Sequence, residues 1–184
     1  MIKNILSDVV LVCGGIFTLS VLSLATALTA QYFFGLEPCI LCLYQRVPFV
    51  LTALLGLAGL IVAARARRVK ISALLILLCA PIFVMGAVIA FYHVGVEQHW
   101  WASFLEGCAV DLSTAGAGDL LSLIESKPAV RCDEIPWADP FFGISMAGYN
   151  VMFSFGMAVF SLLGAIFITR IANGLYIPLQ ARDL

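Results

Sequence analysis

The sequence predicts an all-α integral membrane protein: a four-transmembrane-helix bundle with a short CxxC outer loop and a long outer loop carrying a short interfacial helix. Composition is the first observation. Hydrophobic residues fill 62% of 184 positions, charged residues only 11%, and the mean hydropathy is +1.06. A soluble domain is about half apolar and a quarter charged, so this excess belongs in lipid. The second observation is that residues 9–36, 47–64, 71–96 and 141–169 contain no Asp, Glu, Lys or Arg. Crossing a bilayer as a helix takes about 20 such residues. None of the four runs alternates apolar with polar side chains, which excludes barrel strands. The length allows one membrane domain, residues 1–184.

The first run forms a helix over about 9–33. Lys3 ahead of it and Ala25-Thr26-Ala27 within it mimic a cleaved leader, but the apolar stretch exceeds the about 7–15 residues of a leader core. A transmembrane helix is the simpler reading. An outer loop over about 34–42 follows. The second run is the shortest and spans the bilayer only if its helix, about 43–64, starts near Leu43 and carries Arg46 in its first turn. A turn at 65–70 leads to a third helix over about 71–94. The long outer loop, about 95–143, leads to the fourth helix over about 144–169.

Basic residues orient the bundle. Arg65, Arg67, Arg68 and Lys70 crowd the link between the second and third helices, and Lys3, Arg170 and Arg182 lie near the ends. The long loop has only Lys127 and Arg131. Basic short loops stay in the cytoplasm. Both termini and the 65–70 turn are therefore expected inside, and the two cysteine-bearing loops outside, in a bacterial periplasm.

The six cysteines divide by compartment. Cys13 and Cys79 fall among Val, Leu and Ala inside helices and read as small hydrophobes. Cys39, Cys42, Cys108 and Cys132 all fall on the outer side, where disulfides are permitted. Two loops with a pair each suggest two disulfides able to exchange. Static staples, a four-thiolate zinc site and redox catalysis all compete for this tetrad. The 24-residue spacing of Cys108 and Cys132 weakens zinc, because it is not a second CxxC.

The setting of the CxxC favours redox chemistry. Pro38 ends an extended segment, and a helix beginning at or just after Cys42 aims N–H groups and its positive dipole end at that sulfur. Arg46 lies one turn along on the same face. A helix start plus a cation favours a thiolate, the reactive form. Arginine in hydrocarbon costs about 2.5–3.5 kcal/mol at the bilayer centre and less near the interface. A static staple gains nothing from that cost, although snorkelling to head groups also explains an arginine there. The pattern points to a thiolate at Cys42, within reach of a lipid-soluble acceptor such as a quinone.

"CILCLYQR" at the mouth of the second helix, "YHVGVEQ" closing the third and "RCDEIPWADPFFGISM" entering the fourth resemble the DsbB family of bacterial inner-membrane disulfide-bond-formation proteins. The resemblance covers nearly the whole chain. It implies a quinone-dependent protein-disulfide oxidoreductase that reoxidises a DsbA-like periplasmic thioredoxin-fold partner and passes electrons to ubiquinone or menaquinone. On these positions it implies that Cys39 and Cys42 meet the quinone, with Cys42 nearest the ring, and that Arg46 and His93 assist there. It implies that Cys108 forms the mixed disulfide with the partner and that Cys132 then exchanges with Cys39. Gln45, where some relatives carry an acidic residue, is given no role, and the segment around Cys108 matches less closely. A vitamin K epoxide reductase-like enzyme also combines four helices with thiol–quinone chemistry, but its quinone-facing CxxC lies near the last helix.

The remaining features are quieter. His99 reads as interfacial beside Trp100 and Trp101. Trp100, Trp101, Phe104 and Leu105 share one helical face and suit the head-group layer, as does an amphipathic stretch at 120–124. The small-residue run at 113–119 reads as a turn. Eight acidic residues in 97–140 read as solvation. No P-loop, paired-carboxylate site or basic nucleic-acid patch is present. The orientation has a direct check: after reduction, a membrane-impermeant thiol reagent applied from the periplasmic side should label Cys108 and Cys132. Labelling only after the inner membrane is opened would reverse the topology.

Overall fold

A computed structural model of the chain describes residues 2–66, 68–105, 108 and 130–173. Four helices carry the architecture: α1 (Ile2–Phe33), α2 (Ile40–Ile61), α3 (Val69–Glu97) and α4 (Met146–Ala172). A π-type turn, Val62–Ala66, extends α2 towards the basic link. Segments Asp8–Phe33, Ile40–Arg65, Val69–Glu97 and Met146–Ala172 are each long and apolar enough to cross a membrane. Among the described residues there is no strand, only an isolated antiparallel bridge between Ala138 and Ser145. The four-helix expectation holds. The stretches at 113–119 and 120–124, with Arg67, Lys127 and Arg182, lie outside the described residues.

Helices that are apolar on every side have no single greasy stripe to bury, so residue size rather than polarity decides what faces inward. Leu54, Val88, Phe155 and Leu163 point outward, while Ala53, Ala73, Ala87, Ala90, Ala158 and Ala165 are buried between helices. α3 packs most extensively on α4 and then on α2, and α1 rests on α2. At the α1–α2 crossing a Cβ on Gly56 would stand 2.9 Å from the Phe17 amide nitrogen and 3.2 Å from the Cys13 carbonyl oxygen. Gly86 of α3 lies where Pro48 of α2 and Ser154 of α4 converge. Cys13 and Cys79 are free thiols sealed in this interior. Ser20 and Thr52 hydroxyls pair at 2.9 Å across α1 and α2, and the Ser72 hydroxyl donates to the Gly59 carbonyl across α2 and α3.

Two local features differ from the sequence reading. α2 begins at Ile40, three residues before Leu43. The aromatic stretch 100–105 is not helical. After α3 ends, His99 takes a positive φ of 57° and reverses the chain. Trp101 then folds back over Gly95, where any Cβ would fall inside the indole ring. The Trp101 Nε1 donates to the Tyr92 carbonyl at 3.1 Å, the two rings stack, and the Phe104 amide donates to the Tyr92 hydroxyl. Ring stacking and hydrogen bonds to the end of α3 replace a further helical turn.

The backbone contact at Gly56 makes a stability prediction. Gly56→Ala should destabilise the bundle by about 1–3 kcal/mol through forced separation of α1 and α2. Gly14→Ala, with nothing within 4 Å of its Cβ, should leave stability unchanged or slightly raised. Unfolding of both variants in mild detergent checks the difference, and equal behaviour would contradict the tight crossing.

Candidate redox site

The site begins at the N-terminus of α2, whose first N–H groups have no partner within the helix. Cys39 is the N-cap, with extended backbone (φ −72°, ψ 171°), and its Sγ accepts from the Cys42 amide at 3.3 Å. This is the position that Ser or Asp occupies at many helix starts. The sulfur at the positive end of the helix is therefore that of Cys39, and Cys42 lies within the first turn. That corrects the expectation of a helix starting at Cys42 with the thiolate there. The register change of three residues moves the helix start from one cysteine to the other.

Further donors converge on the same atom. Cys42 Sγ lies 3.1 Å from Cys39 Sγ, and His93 Nε2 lies 3.5 Å from it. The thiol of Cys42 beside it, reinforced by His93 and by the Cys42 amide, holds the Cys39 thiol far below its ordinary range, at about 4, against the opposing effect of burial. Cys39 is 5% exposed.

His93 is held from both sides. Its Nδ1 faces Gln45 Nε2 at 2.8 Å, and its Nε2 lies 3.8 Å from Glu97 Oε1 one turn along α3. Gln45 Oε1 accepts from Asn150 Nδ2 at 2.6 Å, and Asn150 Oδ1 accepts from the Ser154 hydroxyl at 2.8 Å. Glu97 accepts from the Ser145 hydroxyl, while Ser145 also caps α4 by accepting from the Gly148 amide. Histidine, glutamine and carboxylate are all buried. The structure thus sets His93 against Cys39, away from the lipid-facing surface.

Arg46 points elsewhere. Its Nη1 donates to Gln31 Oε1 of α1 at 2.9 Å, and it is half-buried, with Leu43, Tyr44 and Val47 of α2 exposed around it. Cys42 is partly exposed on this turn. One guanidinium N–H serves Gln31, and the group carries further N–H donors.

Cys108 and Cys132 are joined in a disulfide, while Cys39 and Cys42 are free thiols. Cys39, Leu41, Val96, Cys108 and Cys132 form one buried cluster, with Cys42, Tyr92, Leu105 and Val130 packed against it. Cys39, Cys42, Cys108 and Cys132 are thus gathered at one end of the bundle. Arg131 and Asp133 form a two-pronged ion pair on either side of Cys132. The guanidinium holds the Asp133 carboxyl below its usual range. A four-thiolate zinc site loses two ligands to the disulfide, although Cys39, Cys42 and His93 offer three ligand atoms within 4.8 Å of one another.

The family model for disulfide bond formation protein DsbB matches residues 10–164. The chain belongs to the DsbB family. A disulfide bond formation protein B of Polaromonas sp. is 32% identical over 163 residues, 82% of this chain and 84% of the relative. One from Xylella fastidiosa (strain Temecula1) is 32% identical over 147 residues, covering 76% and 80% of the two chains. One from Xanthomonas campestris pv. campestris (strain 8004) is 31% identical over 157 residues, 83% of each. No solved structure gives a significant match. DsbB membership and four candidate spans make this a multi-pass inner-membrane protein of disulfide bond formation.

Gln45, Glu97, Asn150, Ser145 and Gln31 are not singled out by sequence reasoning, yet the structure joins all five to the site. Their signal was present. A Gln or Asn inside an apolar span is costly unless it is paired, and it marks a functional neighbourhood. The low position of Cys39 makes a prediction with a definite sign. Above a pH of about 4 the reduced site keeps its thiolate, and acid removes it. Thiolate ultraviolet absorbance of the reduced protein should fall as pH drops through about 4, and Cys39→Ser should abolish that transition. A midpoint in the ordinary thiol range would refute the capped thiolate.

Proposed function

We propose that this DsbB-family chain oxidises a DsbA-like thioredoxin-fold protein in the periplasm and passes the electrons through two cysteine pairs to ubiquinone or menaquinone. The observation that carries the reading is the single buried cluster holding Cys39, Cys108 and Cys132, with the outer pair joined and the inner pair free. Both termini then face the cytoplasm and the cysteine loops face the periplasm.

The exchanges balance as follows. A partner thiolate attacks Cys108 Sγ, the Cys108–Cys132 bond breaks, and Cys132 leaves as a thiolate. The second partner thiol attacks the partner sulfur of the mixed disulfide, releasing an oxidised partner and Cys108. Cys132 attacks Cys39 in an oxidised Cys39–Cys42 bond, and Cys42 leaves. Cys108 then attacks Cys132, and Cys39 leaves as a thiolate. Two electrons and two protons have moved from the partner to the inner pair. The outcome is a joined outer pair and a free inner pair, the arrangement in the structure. Cys108 and Cys132 are fully buried, so the partner has to open the cover over Cys108 as it docks.

A bound quinone supplies the two-electron, two-proton sink for the inner pair. The donor set fits such a group: Arg46 presents N–H donors at a lipid-facing edge, one turn from the partly exposed Cys42. Arg46 and Gln31 would hold a carbonyl oxygen there, while the exposed Leu43 and Val47 suit a hydrocarbon neighbour. His93 acts on the Cys39 side.

The test pairs two variants with the wild-type chain in detergent, supplied with a reduced thioredoxin-fold partner and a soluble quinone. In Cys132→Ser the free Cys108 thiolate, given the disulfide form of the partner instead, should attack that disulfide, release one partner cysteine as a thiolate and accumulate a Cys108-linked mixed disulfide on a non-reducing gel, with the partner identified by mass spectrometry. Arg46→Met should still exchange disulfides with the partner but weaken the apparent affinity for quinone about tenfold or more, on the scale of a lost charge-assisted hydrogen bond. Absence of any mixed disulfide, together with no quinone-dependent oxidation by wild type, would leave static bridges as the reading.

A further inference from the structure

One row of neutral polar side chains runs through the apolar bundle and ends on the reactive sulfur. It starts at Ser154, passes to Asn150 on α4, crosses to Gln45 on α2 and reaches His93 on α3. Gln45, His93 and Ser154 are buried, and Gly86 lets α3 approach close to Ser154. Such a row is directional, because each amide donates through nitrogen and accepts through oxygen.

The two side-chain amides set the direction. The Ser154 hydroxyl donates to Asn150 Oδ1, and the Asn150 NH₂ donates to Gln45 Oε1. The Gln45 NH₂ is then left to face His93 Nδ1, which must accept. The imidazole proton therefore sits on Nε2. The other end independently demands the same polarity. His93 Nε2 faces Cys39 Sγ at 3.5 Å and Glu97 Oε1 at 3.8 Å. A thiolate and a carboxylate both call for a donor, and the reversed row would aim a lone pair at them.

We propose that Gln45, anchored by Asn150 and Ser154, is a positioning residue that holds the His93 proton on Nε2 by keeping Nδ1 an acceptor, so that the imidazole donates to the Cys39 sulfur. The groups facing His93 are Cys39 and Cys42 from the start of α2, Glu97 from α3, and only neutral side chains from α4; Arg46 is turned to Gln31. A carboxylate in place of Gln45 would offer Nδ1 only an acceptor and so call for a proton on that nitrogen, whereas the glutamine NH₂ keeps Nδ1 accepting.

The chemical consequence concerns the last inner exchange, and in that respect it rests on the proposed relay. When Cys108 attacks Cys132 in the Cys132–Cys39 mixed disulfide, the bonding pair goes to Cys39. A waiting N–H donor stabilises that leaving thiolate and speeds its departure. The same proton takes Nε2 out of use as a metal ligand. His93 is here a hydrogen-bond donor to sulfur and not a base.

The test reads the imidazole directly. Full-length protein carrying His99→Gln and ¹⁵N-labelled histidine, reduced in mild detergent, gives one ring in a long-range ¹H–¹⁵N correlation. A ring protonated on Nε2 and bare at Nδ1 is expected. Gln45→Leu should lose that single pattern and raise the Cys39 titration midpoint by about one pH unit, the scale of one hydrogen bond to a charged sulfur. Asn150→Leu should move both readouts in the same direction. Gln45→Glu, which offers Nδ1 only an acceptor, should place a proton on Nδ1, the opposite of the unsubstituted site. A purely structural role would make the Leu and Glu variants equally disruptive. An Nδ1–H ring in the unsubstituted site, or an unchanged ring and midpoint in Gln45→Leu, overturns the assignment. The ring pattern needs neither partner nor quinone, so a failed oxidation assay with an intact Nε2–H ring counts against the relay alone.

Discussion

The bond from the Cys42 amide to Cys39 Sγ organises the outer end of the molecule. It is a helix cap, and it adds to the Cys42 thiol and His93 in favouring charge on that sulfur. Any helix entering the bilayer has free N–H groups at its start, and something has to satisfy them. Here that something is sulfur, so starting the span and stabilising charge on the sulfur are one interaction. The cap sets the register of α2, and the register puts Gln45 inward and Arg46 towards α1. A helix starting three residues later would offer its positive end to Cys42 instead and would leave Cys39 in an extended segment.

The two faces of that first turn divide the labour. Cys39 is sealed among Leu41, Val96 and the Cys108–Cys132 pair, where sulfur can be handed to sulfur. Cys42 is partly exposed, with Arg46 a turn away at the edge open to lipid. A CxxC at a helix start separates two chemistries because its cysteines fall at the cap and in the first turn. One looks into the protein and the other outward.

Apolar helices pack without a hydrophobic driving force between them, so small residues and polar pairs decide the arrangement. Gly56 sets the distance of α1 from α2. The Gln45–Asn150 bond joins α2 to α4, while His93 and Glu97 bring α3 into the same network. Ser145 serves two ends at once, capping α4 and holding Glu97. The polar groups that support the reactive sulfur are therefore also contacts between the helices.

The sequence by itself determined the class, the number of spans and the four cysteines that the fold brings together. These depend on composition, on run length and on the CxxC setting, all of which are local in the chain. The same reading missed the start of α2, because a sulfur cap is not distinguishable from an extended residue until the Cys42 amide is seen to turn back to it. It took 100–105 for a helix, because i and i+4 spacing of aromatics says nothing of the reversal at His99 or of the Tyr92 ring that Trp101 stacks on. It passed over Gln45, Glu97 and Asn150, whose partners lie up to 105 residues away in the chain. Only the tertiary structure decided which cysteine caps α2 and which side chain faces the histidine. Polar satisfaction inside an apolar bundle depends on which helices meet, and that meeting is set by small-residue packing across the whole chain.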